Sequence, residues 1–210
     1  MTKKSADADR PAVPSPTEAR ILEAARRLFF AEGFSAVSTD RLCREAGVSK
    51  TSIYKYFGDM AGVLAAVVRR EGDGFATGVA PRPATAEAFW RSLVAYGTNL
   101  LTLLNDREII QFDQLLHEEA RSHPEVSRRF YDSAFGRSHE DVTALIAYGQ
   151  TQGFVGKPQD SAALADHLIC MWEGLACIRT RLGLVDKPHE DPGAWARQCV
   201  EALFDVSLAE

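Results

Sequence analysis

Apolar positions recur along this chain at helical spacing, and strand-like alternation is scarce. Between Thr17 and Glu32, residues Ile21, Ala24, Ala25, Leu28 and Phe29 fall at i, i+3, i+4, i+7 and i+8. They form one stripe of an amphipathic helix. Thr17 reads as its N-cap, with Pro16 before it, and Gly33 as its stop. A second helix begins near Ser38 or Thr39 and ends at Ala46, with Leu42 and Ala46 on its inner face and Cys43 beside Leu42. A short third helix runs from Lys50 to Phe57. A fourth begins near Asp59 and carries Val63, Leu64, Val67 and Val68. The stretch GDGFATGVAPRPAT from Gly72 then breaks the regularity. Five helical blocks follow, at about 85–104, 107–120, 124–151, 160–183 and 192–207. The expected fold is all-α.

The break suggests three parts: a flexible arm over 1–16, a small helical domain over 17–70, and a larger helical domain over 71–210. The arm is polar and proline-rich, with no apolar core of the kind a signal peptide carries. No apolar run approaches the roughly 18–20 residues of a membrane span, so no membrane partner is expected. Four cysteines (Cys43, Cys170, Cys177 and Cys199) lack metal-like pair spacing, and free thiols in a reducing cytoplasm are the expectation.

The segment AGVSKTSIYKYF, residues 46–57, carries the most specific chemistry. Gly47 fits a left-handed helix end, and Ser49 fits the N-cap of the helix that follows. Helix, glycine turn and capped short helix make a helix-turn-helix. Ile53 and Phe57 lie at i, i+4 and anchor the short helix with Val48. Lys50, Thr51, Ser52, Tyr54, Lys55 and Tyr56 are left wholly or partly outward, and no acidic residue occurs from Ser49 to Gly58. Lysines neutralise phosphates, and hydroxyls and helix-start amides donate to phosphate oxygens. The first turn of such a helix reaches base edges in the major groove. Charge follows the same division. Residues 17–70 carry nine basic and six acidic side chains, whereas residues 71–210 carry twelve and twenty-one. A chain of net charge −5 thus keeps its positive charge at one end.

Residues Arg20 to Val67 resemble the N-terminal domain of TetR-family transcriptional regulators. The matching elements run Ile21-Leu22-x-Ala24-Ala25-x-x-Leu28-Phe29, Gly33-Phe34, Ser38-Thr39, Leu42, Ala46-Gly47-Val48-Ser49, Ile53-Tyr54-x-Tyr56-Phe57 and Leu64. The block FYDSAFGRSHEDVTALIAYGQTQG is similar to one ligand-domain subtype of that family. The resemblance implies a phosphate contact at Thr39, base approach by Lys50 and Thr51, and backbone contacts by Tyr54, Lys55 and Tyr56. Ser49 and Ser52 complete the candidate DNA-facing set. Many members carry a lysine three residues after the position of Phe57; here that residue is Met60.

The resemblance also implies a homodimer built on a four-helix interface, a double-stranded DNA operator of palindromic form, and a small-molecule effector. Repression is the family default. Leu164, Leu168, Leu175, Trp195, Cys199 and Leu203 are the candidate interface residues on the last two helical blocks. The same stripes also suit packing on their own chain. Trp90, Tyr96, Phe112, Leu116, Tyr131, Phe135, Met171 and Trp172 are candidates for the wall of a largely apolar effector pocket. An aromatic at helical spacing serves a core equally well. His117 and His139 suit a polar ligand atom or an ordinary surface. The spacing His117-Glu118-Glu119-x-x-x-His123 lacks the i, i+4 ligand pair of metalloprotease helices, so no metal or cofactor is expected. No nucleophile elbow, phosphate loop or dinucleotide fingerprint occurs in the chain. Two alternatives to a ligand-responsive cytoplasmic repressor remain: the same dimer switched by thiol oxidation, and a helical enzyme or carrier with an incidental helix-turn-helix.

Overall fold

A computed structural model describes residues 14–73, 78–156 and 158–208. The expected arm falls outside the described residues over 1–13. Helices dominate, and no strand occurs among the described residues. α1 spans Pro16–Glu32, α2 Thr39–Ala46, α3 Lys50–Phe57 and α4 Met60–Gly72. α5 spans Ala86–Leu104, α6 Arg107–Glu119, α7 Pro124–Tyr131, α8 Arg137–Thr151, α9 Ser161–Arg181 and α10 Pro192–Phe204.

Caps set most of these boundaries. α1 begins two residues earlier than its pattern suggests. Ser15, not Thr17, is the N-cap, and it forms a reciprocal capping box with Glu18. Asp59, Thr85, Asp106, Asp160 and Asp191 cap α4, α5, α6, α9 and α10 through side-chain oxygens. Two long blocks are less regular than their periodicity implies. The block 124–151 is interrupted by a π-helical segment, Asp132–Gly136. α9 is kinked at Gly174, whose φ of 52° and ψ of −160° lie outside helical values. By length and composition alone α9 can cross a membrane, contrary to the reading of the sequence; its mean hydropathy reaches 1.2. Here it packs against α5, α8 and α10, with Leu164, Leu168 and Trp172 buried.

Two apolar cores result. The first joins α1–α4 around Ile21, Phe29, Leu42, Ile53 and Leu64, and is closed by Phe112 and Leu116 of α6 and Val126 of α7. The second lies among α5, α8, α9 and α10 around Phe89, Leu93, Ile146, Leu168 and Trp172. Close approach inside it depends on glycine. A Cβ on Gly97 would lie 2.5 Å from the Trp172 ring, and one on Gly149 would lie 2.5 Å from Phe89. The first core therefore packs the helix-turn-helix against α6 and α7, and α7 continues through the π segment into α8, which lies in the second core.

Candidate DNA interface and effector cavity

The turn between α2 and α3 is built by local chemistry. Gly47 sits at φ 63°, ψ 43°, the left-handed region where a Cβ costs about 1–2 kcal/mol. Its N–H donates to the Arg44 carbonyl at 3.3 Å, and the Val48 N–H donates to that of Cys43 at 3.0 Å. The Ser49 hydroxyl accepts from the Ser52 N–H at 3.2 Å and lies 3.1 Å from the Ser52 hydroxyl. Both serines therefore spend part of their hydrogen-bonding capacity on the cap. Ile53 is fully buried and Phe57 is half-buried against the first core.

Above this anchor, Lys50, Thr51, Tyr54, Lys55 and Tyr56 are exposed on one short helix. Tyr54 is 52% exposed, unusual for so large a ring with no partner to cover it. Lys55 Nζ stands 5.6 Å from the Tyr56 ring centre, a cation–π distance. Lys50 Nζ pairs with Asp40 at 2.7 Å, and the hydrogen bond to Asp40 raises its pKa. Lys50 must exchange that partner to reach a base or phosphate. Thr39 is half-buried at the first position of α2, where Ser38 supplies the cap. Met60 packs against the first core, so it offers no replacement for a lysine. Arg44, in the last turn of α2, is exposed and was not singled out from the sequence. Its signal was its place in the last turn before Gly47.

Behind α3 and α4 lies a cavity of about 80 Å³, lined from α1, α4, α5, α6, α7, the π segment, α8 and α9. Phe30, Phe112, Phe130 and Phe135 supply most of its aromatic wall. Phe30 and Phe112 stack at 4.2 Å, and Phe130 stands edge-on to Phe112 and to Phe135. An adjoining, more open recess of about 180 Å³ shares Phe130 and Phe135 and is also bounded by Leu116, His117, His123 and Tyr131. Charged groups meet at the cavity edge. Arg181 donates to Asp113 at 2.7 Å and approaches Glu173 at 3.9 Å. Burial pushes the Glu173 carboxyl above its ordinary range, against the nearby Arg181 charge. Arg26 grips Glu71 through two hydrogen bonds, at 2.9 and 3.2 Å.

The pocket expectation divides. Phe112 and Phe135 line the main cavity, and Leu116, Tyr131 and Phe135 line the adjoining recess. Trp90, Tyr96, Met171 and Trp172 line neither, because the second core takes them. The Trp172 indole N–H donates to the Ala196 carbonyl at 3.3 Å, and the Tyr96 hydroxyl donates to Asp141 at 3.2 Å. Phe30 and Glu173 went unnoticed in the sequence. Phe30 is an aromatic residue beside the α1 stripe, and Glu173 is a carboxylate set among apolar residues of α9. Each was a usable signal.

The candidate interface divides as well. Leu164, Leu168 and Cys199 are buried in the chain's own second core, so they are unavailable to a partner as the fold stands. Trp195 and Leu203 are half-buried against that core, and the Trp195 indole N–H donates to the Trp172 carbonyl at 2.9 Å. Leu175 is exposed, together with Ile178, Leu182, Leu184 and Val185. The kink at Gly174 is the physical reason: before it the apolar stripe faces inward, and after it Leu175, Ile178 and Leu182 face out. Of the thiols, burial raises Cys177 to about 12 and Cys199 to about 11, while Cys170 is exposed.

A capped helix-turn-helix with a basic, acid-free outer helix, mounted on a helical domain with an apolar cavity, defines a DNA-binding regulator. The family profile described as bacterial regulatory proteins, tetR family, matches residues 21–67, and the profile described as AefR-like transcriptional repressor, C-terminal domain, matches residues 91–208. The chain belongs to the TetR family of bacterial transcriptional regulators. Over 118 residues it is 35% identical to the uncharacterized HTH-type transcriptional regulator YdeS of Bacillus subtilis (strain 168), a match spanning 50% of this chain and 56% of that one. Two solved structures share the fold. A TetR regulator from Agrobacterium tumefaciens has TM-score 0.74 and 23% identity, over 91% of this chain and 94% of its own. The flavonoid-responsive regulator FrrA has TM-score 0.66 and 21% identity, over 90% and 95%.

Proposed function

We propose that this chain is a homodimeric repressor of a palindromic operator, released from DNA by a small, largely apolar effector. The observation that carries this reading is the position of the cavity. Its wall is shared between Phe30 of α1 and Val68, Glu71 and Gly72 of α4 on one side, and the C-terminal helices on the other. A molecule in that space touches the helix that follows α3. Arg129 of α7 adds a direct tie, donating to Asp59 at 2.9 Å, and Asp59 is the N-cap of α4. The effector needs only a higher affinity for the arrangement in which the two α3 helices no longer match half-sites about 34–36 Å apart. The difference in affinity sets the coupling.

The apolar side chains left exposed after the α9 kink support the homodimer. The thiol-oxidation alternative finds less support. Burial raises the Cys177 and Cys199 thiols and so disfavours the reactive thiolate, which leaves exposed Cys170 as the position open to oxidation among these three. The enzyme or carrier alternative does not account for the shape of α3.

The test is binding to an operator selected from genomic fragments. Lys55→Ala is expected to weaken every bound sequence alike and to lower the salt slope by about 1. Thr51→Ala is expected to change which sequences are preferred, by about 1–3 kcal/mol at one base pair. If Lys55→Ala leaves both affinity and salt slope unchanged, the backbone-contact assignment is wrong.

A further inference from the structure

The cavity has a chemical bias as well as a size. Four aromatic rings converge on it from four elements: Phe30 of α1, Phe112 of α6, Phe130 of α7 and Phe135 of the π segment. Glu71, Asp113 and Glu173 bring three carboxyls to its lining, and Arg137 brings one guanidinium. Three of these four groups are already committed. Glu71 is held by Arg26 at 2.9 Å, Asp113 by Arg181 at 2.7 Å, and Arg137 by Asp73 at 2.9 Å. Glu173 differs. Among the described residues its ion-pair contact is Arg181 Nη2 at 3.9 Å, too long for a charge-assisted hydrogen bond. Its side chain is 17% exposed.

Resting on the effector reading above, we propose that the effector is a lipophilic ammonium, with its N–H donating to Glu173 and its apolar body against the phenylalanine rings. Each part of the site contributes for a separate reason. A carboxylate taken from water into apolar surroundings is costly unless an opposite charge meets it. Arg181 serves it only at a distance: its Nε is held by Asp113, and its Nη2 stands 3.9 Å from Glu173. Aromatic faces attract an ammonium and have no comparable attraction for a carboxylate. Glu71 and Asp113 are compensated by Arg26 and Arg181, and an anionic ligand would have to displace Asp73 from Arg137 to find a cation in the lining. Burial raises the Glu173 pKa, which means that without a cation the site retains a proton more readily than an ordinary glutamate does. The ammonium takes over the neutralising role of that proton. The partly open space of about 80 Å³ is well above the roughly 10–15 Å³ that a single water requires. It fits an amine head and a short chain, with the recess beside Phe130 and Phe135 next to it.

Three probes of matched length test this on the purified full chain: hexylammonium, hexanol and hexanoate, with binding measured by calorimetry. The proposal expects hexylammonium to bind at least about tenfold more tightly than hexanol, and hexanoate to bind most weakly, from the strength of a charge-assisted bond. Glu173→Gln should abolish the preference for the amine while leaving hexanol unchanged. Glu173→Asp, which keeps the charge, should retain part of it. The wild-type series stands as a test even if a variant folds poorly. Hexanol or hexanoate binding as tightly as hexylammonium overturns the ammonium assignment but leaves the cavity as an effector site. An unchanged amine preference in Glu173→Gln does the same. Binding by none of the three overturns both readings.

Discussion

Glu173 is where a single side chain sets the character of the C-terminal domain. Its carboxyl is held above its ordinary value of 4.5 mainly by burial, and nearby Asp113 pushes the same way, while Arg181 opposes them. The folded protein therefore binds this proton more tightly than the unfolded chain. The resulting stability is fully present below 4.5 and is lost as pH rises through the raised value. Glu173→Gln removes that dependence. Thermal unfolding of the two proteins across pH 4 to 8 is expected to give a shallower decline for the glutamine variant on the alkaline side, and a higher midpoint at neutral pH. Parallel curves would mean that the carboxyl is solvated better than its surroundings imply. His189 has the opposite sign. Burial lowers its pKa, so it is neutral where an ordinary histidine would begin to charge. Its ring stacks on Trp195, and its backbone exchanges two hydrogen bonds with the Asn105 side chain.

Among the elements, the join between α3 and α4 has the least tolerance. A Cβ on Gly62 would come within 2.0 Å of the Phe57 carbonyl and 3.1 Å of Arg129 Nη1. Gly62→Ala cannot be absorbed by one rotamer change, because the first obstacle is backbone. The variant is expected to lose about 1–3 kcal/mol, measured by denaturant titration, and to bind operator more weakly even where it remains folded. Full affinity in a folded variant would show that α3 and α4 can separate without cost. This part of the chain was also the most legible in sequence. The α2 and α3 boundaries follow from Ser38, Gly47 and Ser49, whose effects reach only a few residues. The cavity was not legible in that way. Phe112 and Trp172 have the same signature, an aromatic on an apolar helical face, yet one lines the cavity and the other fills the second core. Periodicity reports that a residue faces inward. It does not report whether the space it faces is filled by another helix.

At the scale of the whole molecule, the proposed homodimer would make the inward and outward stretches of α9 divide folding from association. Leu182 is 69% exposed in the single chain, so Leu182→Glu removes little packing within it. The variant is expected to sediment as a monomer at concentrations where the wild-type chain is dimeric, with its thermal midpoint nearly unchanged and its operator affinity sharply reduced. A variant that stays dimeric would move the interface elsewhere. The sequence stripes suited Leu164 and Leu168 either to an interface or to packing on their own chain; both lie in the second core, and a helical wheel cannot register a kink that turns one face into two. The π segment Asp132–Gly136 connects the two cores in a comparable way. A π turn carries one residue more than an α turn needs. Each residue of helix is worth about 100° of rotation. The wider π turn absorbs that rotation, so loss of one residue here would restore a plain helix and leave α7, with its grip on α4, in the same register against α8. In evolutionary terms, a single-codon deletion at this point would keep the two halves of the protein aligned, yet it would remove the widened turn that brings Ser133, Ala134 and Phe135 to the cavity wall.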